Sequence, residues 1–147
     1  MSKRLDYWKI APEATRRMAA INGYLKESAI EASLRHLVWL RTSQINGCAY
    51  CVDLHASEAL QDGERIERIN CLVAWQETTL FTPKERAALA WTEALTNIAM
   101  SHALEEDYAL VREQFSDEDL VDLTLMIASM NAWNRMAIAF RRQPGMR

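Results

Sequence analysis

Helix breakers are scarce in this chain and stand far apart. Its prolines are Pro12, Pro83 and Pro144, and its glycines Gly23, Gly47, Gly63 and Gly145, three and four in 147 residues. The stretches between them are rich in Ala, Leu, Glu, Arg and Met, side chains that lose little freedom in a helix and offer the backbone no competing partner. A chain punctuated so rarely is constrained to helices, and apolar residues recur at helical spacing nearly throughout. The expected fold is all-α, one domain over residues 1–147 with about six or seven helices. It is large enough to bury a core without a metal or disulfide to hold it. No linker, repeat or low-complexity tract divides it.

The helices can be placed by their start and stop signals. After Pro12 the pattern predicts a helix over about 13–28, with Met18, Ile21 and Leu25 inward. A second begins near Glu31 and buries Leu34, Leu37, Val38, Leu40 and Ile45. Asn46-Gly47 then breaks the chain, so Cys48 falls at or near the start of a third helix that reaches about Leu60. Asp62-Gly63 closes that helix, and a fourth is expected over about 64–75 with Ile66, Ile69 and Val73 at core spacing. Thr82-Pro83-Lys84-Glu85 combines a capping threonine, a first-turn proline and a glutamate able to reach back. The helix it opens carries Ala87, Ala88, Trp91, Leu95 and Ile98. A short helix near 105–113 follows. Ser116 and three acids then open a last helix over roughly 117–141, whose apolar positions are too dense for one stripe and imply burial on several sides, partly by another subunit.

A net charge of −3 leaves no basic footprint, so nucleic acid is not an expected partner. No run approaches the roughly 18–20 apolar residues of a membrane span. The N-terminus Met1-Ser2-Lys3-Arg4-Leu5-Asp6 is charged and leads into no signal-peptide core. A cytoplasmic location is therefore expected, where thiols are kept reduced and a CxxC pair is catalytic or metal-binding more often than structural.

That pair is Cys48 and Cys51, with His55 following. Spacings of three, four and seven put all three on one face of a helix. A dithiol able to close into a disulfide, with an imidazole one turn away to take its proton, is a redox site in outline. His55 stands i,i+4 from Cys51, whereas Cys48 is nearer the positive end of the helix dipole, so spacing leaves open which sulfur attacks first. Two other readings compete. His36, Cys48, Cys51 and His55 offer two sulfurs and two nitrogens to a zinc ion, though without the short knuckles of structural zinc; or the cysteines are merely small buried apolar residues. Haem attachment fails because Val52 follows Cys51, and no βαβ pattern supports a thioredoxin fold. No phosphate loop or serine-hydrolase elbow is present, and no cofactor is expected.

The segment 43–55, Ser-Gln-Ile-Asn-Gly-Cys-Ala-Tyr-Cys-Val-Asp-Leu-His, resembles the active-site segment of alkylhydroperoxidase D-like proteins of the carboxymuconolactone decarboxylase family. The stretch from Thr82 to Trp91 resembles the family's next helix, and Phe115–Val121 with Asn131–Arg135 its last. The resemblance implies an all-helical bundle assembled into homo-oligomers, often trimers or hexamers, and thiol peroxidase chemistry. One CxxC thiolate attacks a hydroperoxide and becomes a sulfenic acid; the second cysteine condenses with it, and an external dithiol reduces the disulfide. By analogy Cys51 is the peroxidatic sulfur, Cys48 the resolving one and His55 the proton relay. The family pattern has a glutamate twelve residues before the first cysteine. His36 stands there in this chain, able to accept a proton but without the fixed charge that would raise the basicity of His55; the plain alternative is that it packs between helices. The family's lactone decarboxylase branch has no use for a dithiol. A non-catalytic redox sensor with the same CxxC is the remaining alternative.

Other residues receive bland expectations. Cys71 is expected in the core, His102 in a solvated interhelical loop, and Trp39 and Trp133 are the tryptophans nearest to a pocket wall. Tyr50 is a packing aromatic or an entrance residue. Asn131 and Asn134 bond across helix ends, across subunits or to substrate.

Overall fold

The computed structural model describes residues 4–146. It is all-α, as expected, with nine α-helices among the described residues: α1 Tyr7–Ile10, α2 Pro12–Glu27, α3 Ala32–Asn46, α4 Ala49–Gln61, α5 Ile66–Cys71, α6 Pro83–Thr96, α7 Ile98–Ser101, α8 Glu105–Arg112 and α9 Asp117–Ala139, plus a 3-10 segment, Leu72–Glu77, after α5. None is long and apolar enough to cross a membrane.

The starts and stops follow local chemistry. Thr82 accepts from the Glu85 N–H while Glu85 accepts from the Thr82 N–H, a full capping box opening α6. Ser116 caps α9 through the Asp119 N–H. Gly47 ends α3 at φ 68°, in the left-handed region that a side chain would strain. The N–H groups of Gly47 and Cys48 return to the carbonyls of Gln44 and Ser43, so one tight turn ends α3 and delivers Cys48 to the head of α4.

α3 is the axis of the molecule, packed against α4, α6 and α9 and buried from Leu34 to Leu40 without interruption. On one side Leu34 and Val38 join Leu25, Ala88, Trp91, Val111, Leu123, Met126 and Ile127. On the other, Leu37 and Leu40 join Ala59, Ile69, Leu72, Trp75, Phe81 and Leu89.

Three expectations are corrected. The helix foreseen over 64–75 ends at Cys71 and tightens into the 3-10 segment. Its three-residue repeat keeps Leu72 and Trp75 together against the core, and the Trp75 indole N–H donates to Glu93 Oε1 at 2.7 Å. Ile66 and Val73 lose their places and are 48% and 62% exposed. Ile98 is exposed because α6 stops at Asn97, leaving α7 as a separate turn. The count also rises through α1, which Asp6 caps through the Trp8 N–H. α9 meets the protein on several sides, yet Val121 and Ile138 face outward.

These positions separate in a denaturation experiment. Leu123→Ala removes a fully buried side chain and should cost about 2–5 kcal/mol in urea unfolding. Val73→Ala should stay within about 0.5 kcal/mol, the reverse of what helical spacing alone implies for that residue.

Candidate active site

Cys48 is the N-cap of α4, and its sulfur accepts from the Cys51 N–H at 3.4 Å. The two sulfurs lie 2.6 Å apart, so that once one is oxidised the other is within reach to close a disulfide. Both are buried, 1% and 3% exposed, against Ala137 of α9. Two negative charges so close cannot coexist, and the pair shares its protons unequally. The Cys51 thiol hydrogen-bonds to Cys48 and draws the Cys48 pKa down to about 7 against the cost of burial, with help from the Cys51 N–H and the Asn134 amide. Cys51 is pushed up by holding that proton, by burial and by the charge on Cys48, while Arg142 pulls it the other way. The balance favours ionisation at Cys48 over Cys51.

Access favours the other sulfur. A cavity of about 150 Å³ opens beside the dithiol, and Cys51 lines it together with Tyr7, Trp8, Asn22, His55 and Trp133. That volume is close to one that accommodates benzene in an engineered protein core. Trp8 stacks on Trp133 at 5.6 Å and 12°, so α1 forms part of the wall. Tyr50 also lines the cavity and carries the Arg142 guanidinium over its ring at 4.6 Å.

His55 is held from two sides. Its ring meets Trp39 at 5.2 Å, and its Nδ1 lies 3.0 Å from Glu58 Oε2. That hydrogen bond is the leading reason the Glu58 carboxyl sits below its ordinary pKa. Nδ1–H donating to a carboxylate leaves Nε2 as the basic nitrogen. Cys48, Cys51, His55 and Glu58 thus form one stripe along α4, at steps of three, four and three. Glu58 escaped the sequence reading although it stands i,i+3 from His55, a spacing at which helical side chains meet.

His36 is not brought to His55 by any hydrogen bond. It is buried on α3, with Nε2 2.6 Å from Asp62 Oδ2 at the end of α4 and Nδ1 enclosed without a partner. The four residues considered for zinc do not converge: His36 is turned to Asp62 and His55 to Glu58, and the described residues contain no three-ligand cluster.

Trp133 lines the cavity as foreseen, whereas Trp39 supports His55 from behind. Tyr7 and Trp8 were not foreseen, since nothing local to the N-terminal segment marks it as a wall of a cavity on α4. Cys71 is half-buried rather than a core residue, and His102 is exposed.

Known proteins share this fold. The family model described as "Carboxymuconolactone decarboxylase family" matches residues 12–94. The chain is 44% identical over 139 residues to YdfG, an uncharacterized protein of Bacillus subtilis, covering 95% of each. It is 40% identical to ATU0492 of Agrobacterium tumefaciens, described as a putative antioxidant defence protein AhpD, with TM-score 0.95 over 99% of this chain and 100% of that one. The debrominase Bmp8 shares the fold at 20% identity and TM-score 0.82, over 92% of this chain and 73% of its own.

The charge distribution in the dithiol is directly measurable. Because the Cys48 pKa is lowered, thiolate absorbance of the reduced protein should rise with pH through a midpoint near 7. Cys51→Ala removes the donated hydrogen bond, and the midpoint should move up toward the ordinary thiol value of about 8.5. A wild-type midpoint already at the ordinary value would contradict the assignment.

Proposed function

Because the chain belongs to the carboxymuconolactone decarboxylase family, we propose that it acts as a thiol peroxidase of the alkylhydroperoxidase type, reducing small organic hydroperoxides or hydrogen peroxide through Cys48 and Cys51. The observation that carries this reading is the division of labour in the dithiol. Cys51 faces the cavity beside a carboxylate-held histidine, and Cys48 waits behind it already inclined to ionise.

The steps follow from that arrangement. The Cys51 sulfur attacks the terminal hydroperoxide oxygen as the proton it shares with Cys48 passes to His55 Nε2, so that negative charge leaves with the alkoxide and never rests on both sulfurs. The O–O bond breaks, the sulfur supplies two electrons, and the departing alkoxide takes the proton from His55 to leave as an alcohol. Cys51 is then a sulfenic acid. The Cys48 thiolate attacks its sulfur, the S–S bond forms, and the S–O bond breaks, releasing hydroxide that takes a proton to become water. An external dithiol restores the pair by two exchanges. Glu58 supplies to His55 the negative charge that His36 lacks. A cavity of about 150 Å³ suits compact hydroperoxides over long-chain ones.

Fold alone decides none of this, since the same architecture serves a debrominase; the dithiol also argues against lactone decarboxylation. A redox sensor would form the same disulfide without turnover. A homo-oligomer, trimeric or hexameric, belongs to the same proposal, with the exposed apolar side chains of α9 available to a second copy.

Reduced protein should consume cumene hydroperoxide and lose two titratable thiols per chain. Cys48→Ser and Cys51→Ser should each abolish turnover, and undiminished activity in both would sink the reading. His55→Asn should lower the rate by about 10²-fold or more. Glu58→Gln should cost on the order of tenfold, the value of a hydrogen bond to a charged group.

A further inference from the structure

The wall of the cavity beside the dithiol includes Ala19, Leu54, Met130 and Ala137, and into this largely apolar lining the fold sets two polar atoms that no protein group satisfies. Among the described residues, Asn22 Oδ1 and Trp133 Nε1 are buried without a hydrogen-bond partner, and both residues line the cavity. The four other buried side-chain atoms in that condition, on Arg35, His36, Trp39 and Arg142, belong to residues outside it. An orphaned acceptor and an orphaned donor are each unfavourable to enclose, and here both stand on the wall of one small space.

Neither polar atom is there for the sake of its own helix. Asparagine suits a helix interior poorly, because its amide competes for backbone groups, yet Asn22 lies well inside α2. It stands one turn from Ala19, on the face turned to the cavity, where a leucine would serve both the helix and its apolar neighbours better. Trp133 lays its ring face on Trp8 at 5.6 Å and 12°. The indole N–H lies in the ring plane, so the stack that fixes the ring makes no use of the donor. Asn22 of α2, Trp133 of α9 and Cys51 of α4 thus reach the same space from three helices.

We propose that Asn22 and Trp133 recognise the polar group of the molecule that fills the cavity, and that this group donates and accepts at once: the hydroperoxyl O–OH on a compact apolar body. The inference rests on the reading of the dithiol as a peroxidase site. Asn22 Oδ1 accepts the hydrogen of the terminal oxygen, and the Trp133 N–H donates to the alkyl-bearing oxygen. When the Cys51 sulfur bonds to the terminal oxygen, the O–O bond breaks and its electron pair goes to the alkyl-bearing oxygen. The hydrogen held by Asn22 stays on the terminal oxygen and ends in the sulfenic acid, so recognition adds no proton transfer. The indole N–H meets the oxygen on which negative charge collects. A hydrocarbon of the same shape leaves both atoms unpaired and is bound less well.

Phenol and toluene test this without chemistry at sulfur. They match in shape, are close to benzene in size, and only phenol donates and accepts. The isotopically labelled full chain is titrated with each and followed by NMR, the Trp133 indole resonance being identified by its loss in Trp133→Phe. Phenol should move that indole proton downfield, the mark of a new acceptor, and toluene should not. Asn22→Leu, of similar volume, should weaken phenol binding about tenfold, the effect of one lost hydrogen bond, and leave toluene bound at least as well. An indole resonance that phenol leaves in place overturns the proposal, and this readout needs no Asn22 variant. A phenol-to-toluene preference unchanged in folded Asn22→Leu overturns it too, by making the cavity an apolar pocket alone. Hydroperoxide turnover is measured separately. Phenol recognised as expected by a protein without turnover would remove the proposed activity and keep the binding pair; turnover with an unmoved indole resonance would do the reverse.

Discussion

The turn at Gly47 is the constraint on which the site depends. Its left-handed backbone stops α3 and lets α4 start two residues later, and only a residue without a Cβ takes that conformation without strain. The turn makes Cys48 the first side chain of α4, where unpaired N–H groups gather and a sulfur can accept the Cys51 N–H. Everything useful on α4 is then a matter of helical phase. Cys51 follows one turn on and reaches the cavity, His55 the next, and Glu58 the next. Shifting the break by one residue would rotate that stripe by about 100° away from the cavity.

The site solves a problem that burial creates. A thiolate in an apolar interior is costly unless donors compensate it, and Arg142, which lies over the Tyr50 ring, bears on the ionisation of Cys51 but not on that of Cys48. Compensation comes instead from neutral donors: the partner thiol, backbone N–H groups and an amide from α9. Neutral donors stabilise charge without drawing it into an ion pair, so the sulfur stays nucleophilic. The carboxylate is kept one residue further away, on His55, where it sets the tautomer without repelling the sulfur.

What was legible in the sequence is what is encoded within one turn of helix. The breaks at Gly47 and Gly63, the capping box at Thr82 and the serine cap of α9 all involve residues within four positions of one another, and each stands where it was expected. The grouping of Cys48, Cys51 and His55 followed from the same periodicity. Tertiary partners were not legible. Asn46 and Asn134 are 88 residues apart and His36 and Asp62 are 26 apart, and no local signal announces either pairing. Val73 was misplaced for a related reason: the demand of Trp75 for the core and for Glu93 replaced an α repeat with a tighter one. Glu58 was within reach of spacing rules, but a glutamate on a helix is so often a solvated residue that only the imidazole beside it gives it a role.

The N-terminal helix shows how little of a site's selectivity resides in its motif. The CxxC and its histidine carry the proposed reaction, but Tyr7 and Trp8 of α1, with Trp133 of α9, line the cavity beside them. The stacked pair Trp8 and Trp133 brings a four-residue helix against one of twenty-three. So short a helix has little stability of its own, so its position derives from that aromatic contact, from Tyr7 against Phe140 and from the Asp6 cap. The proposed chemistry is therefore placed on α4, held against the well-buried α3 and α9, while the size of the cavity beside it depends on one of the least self-sufficient elements.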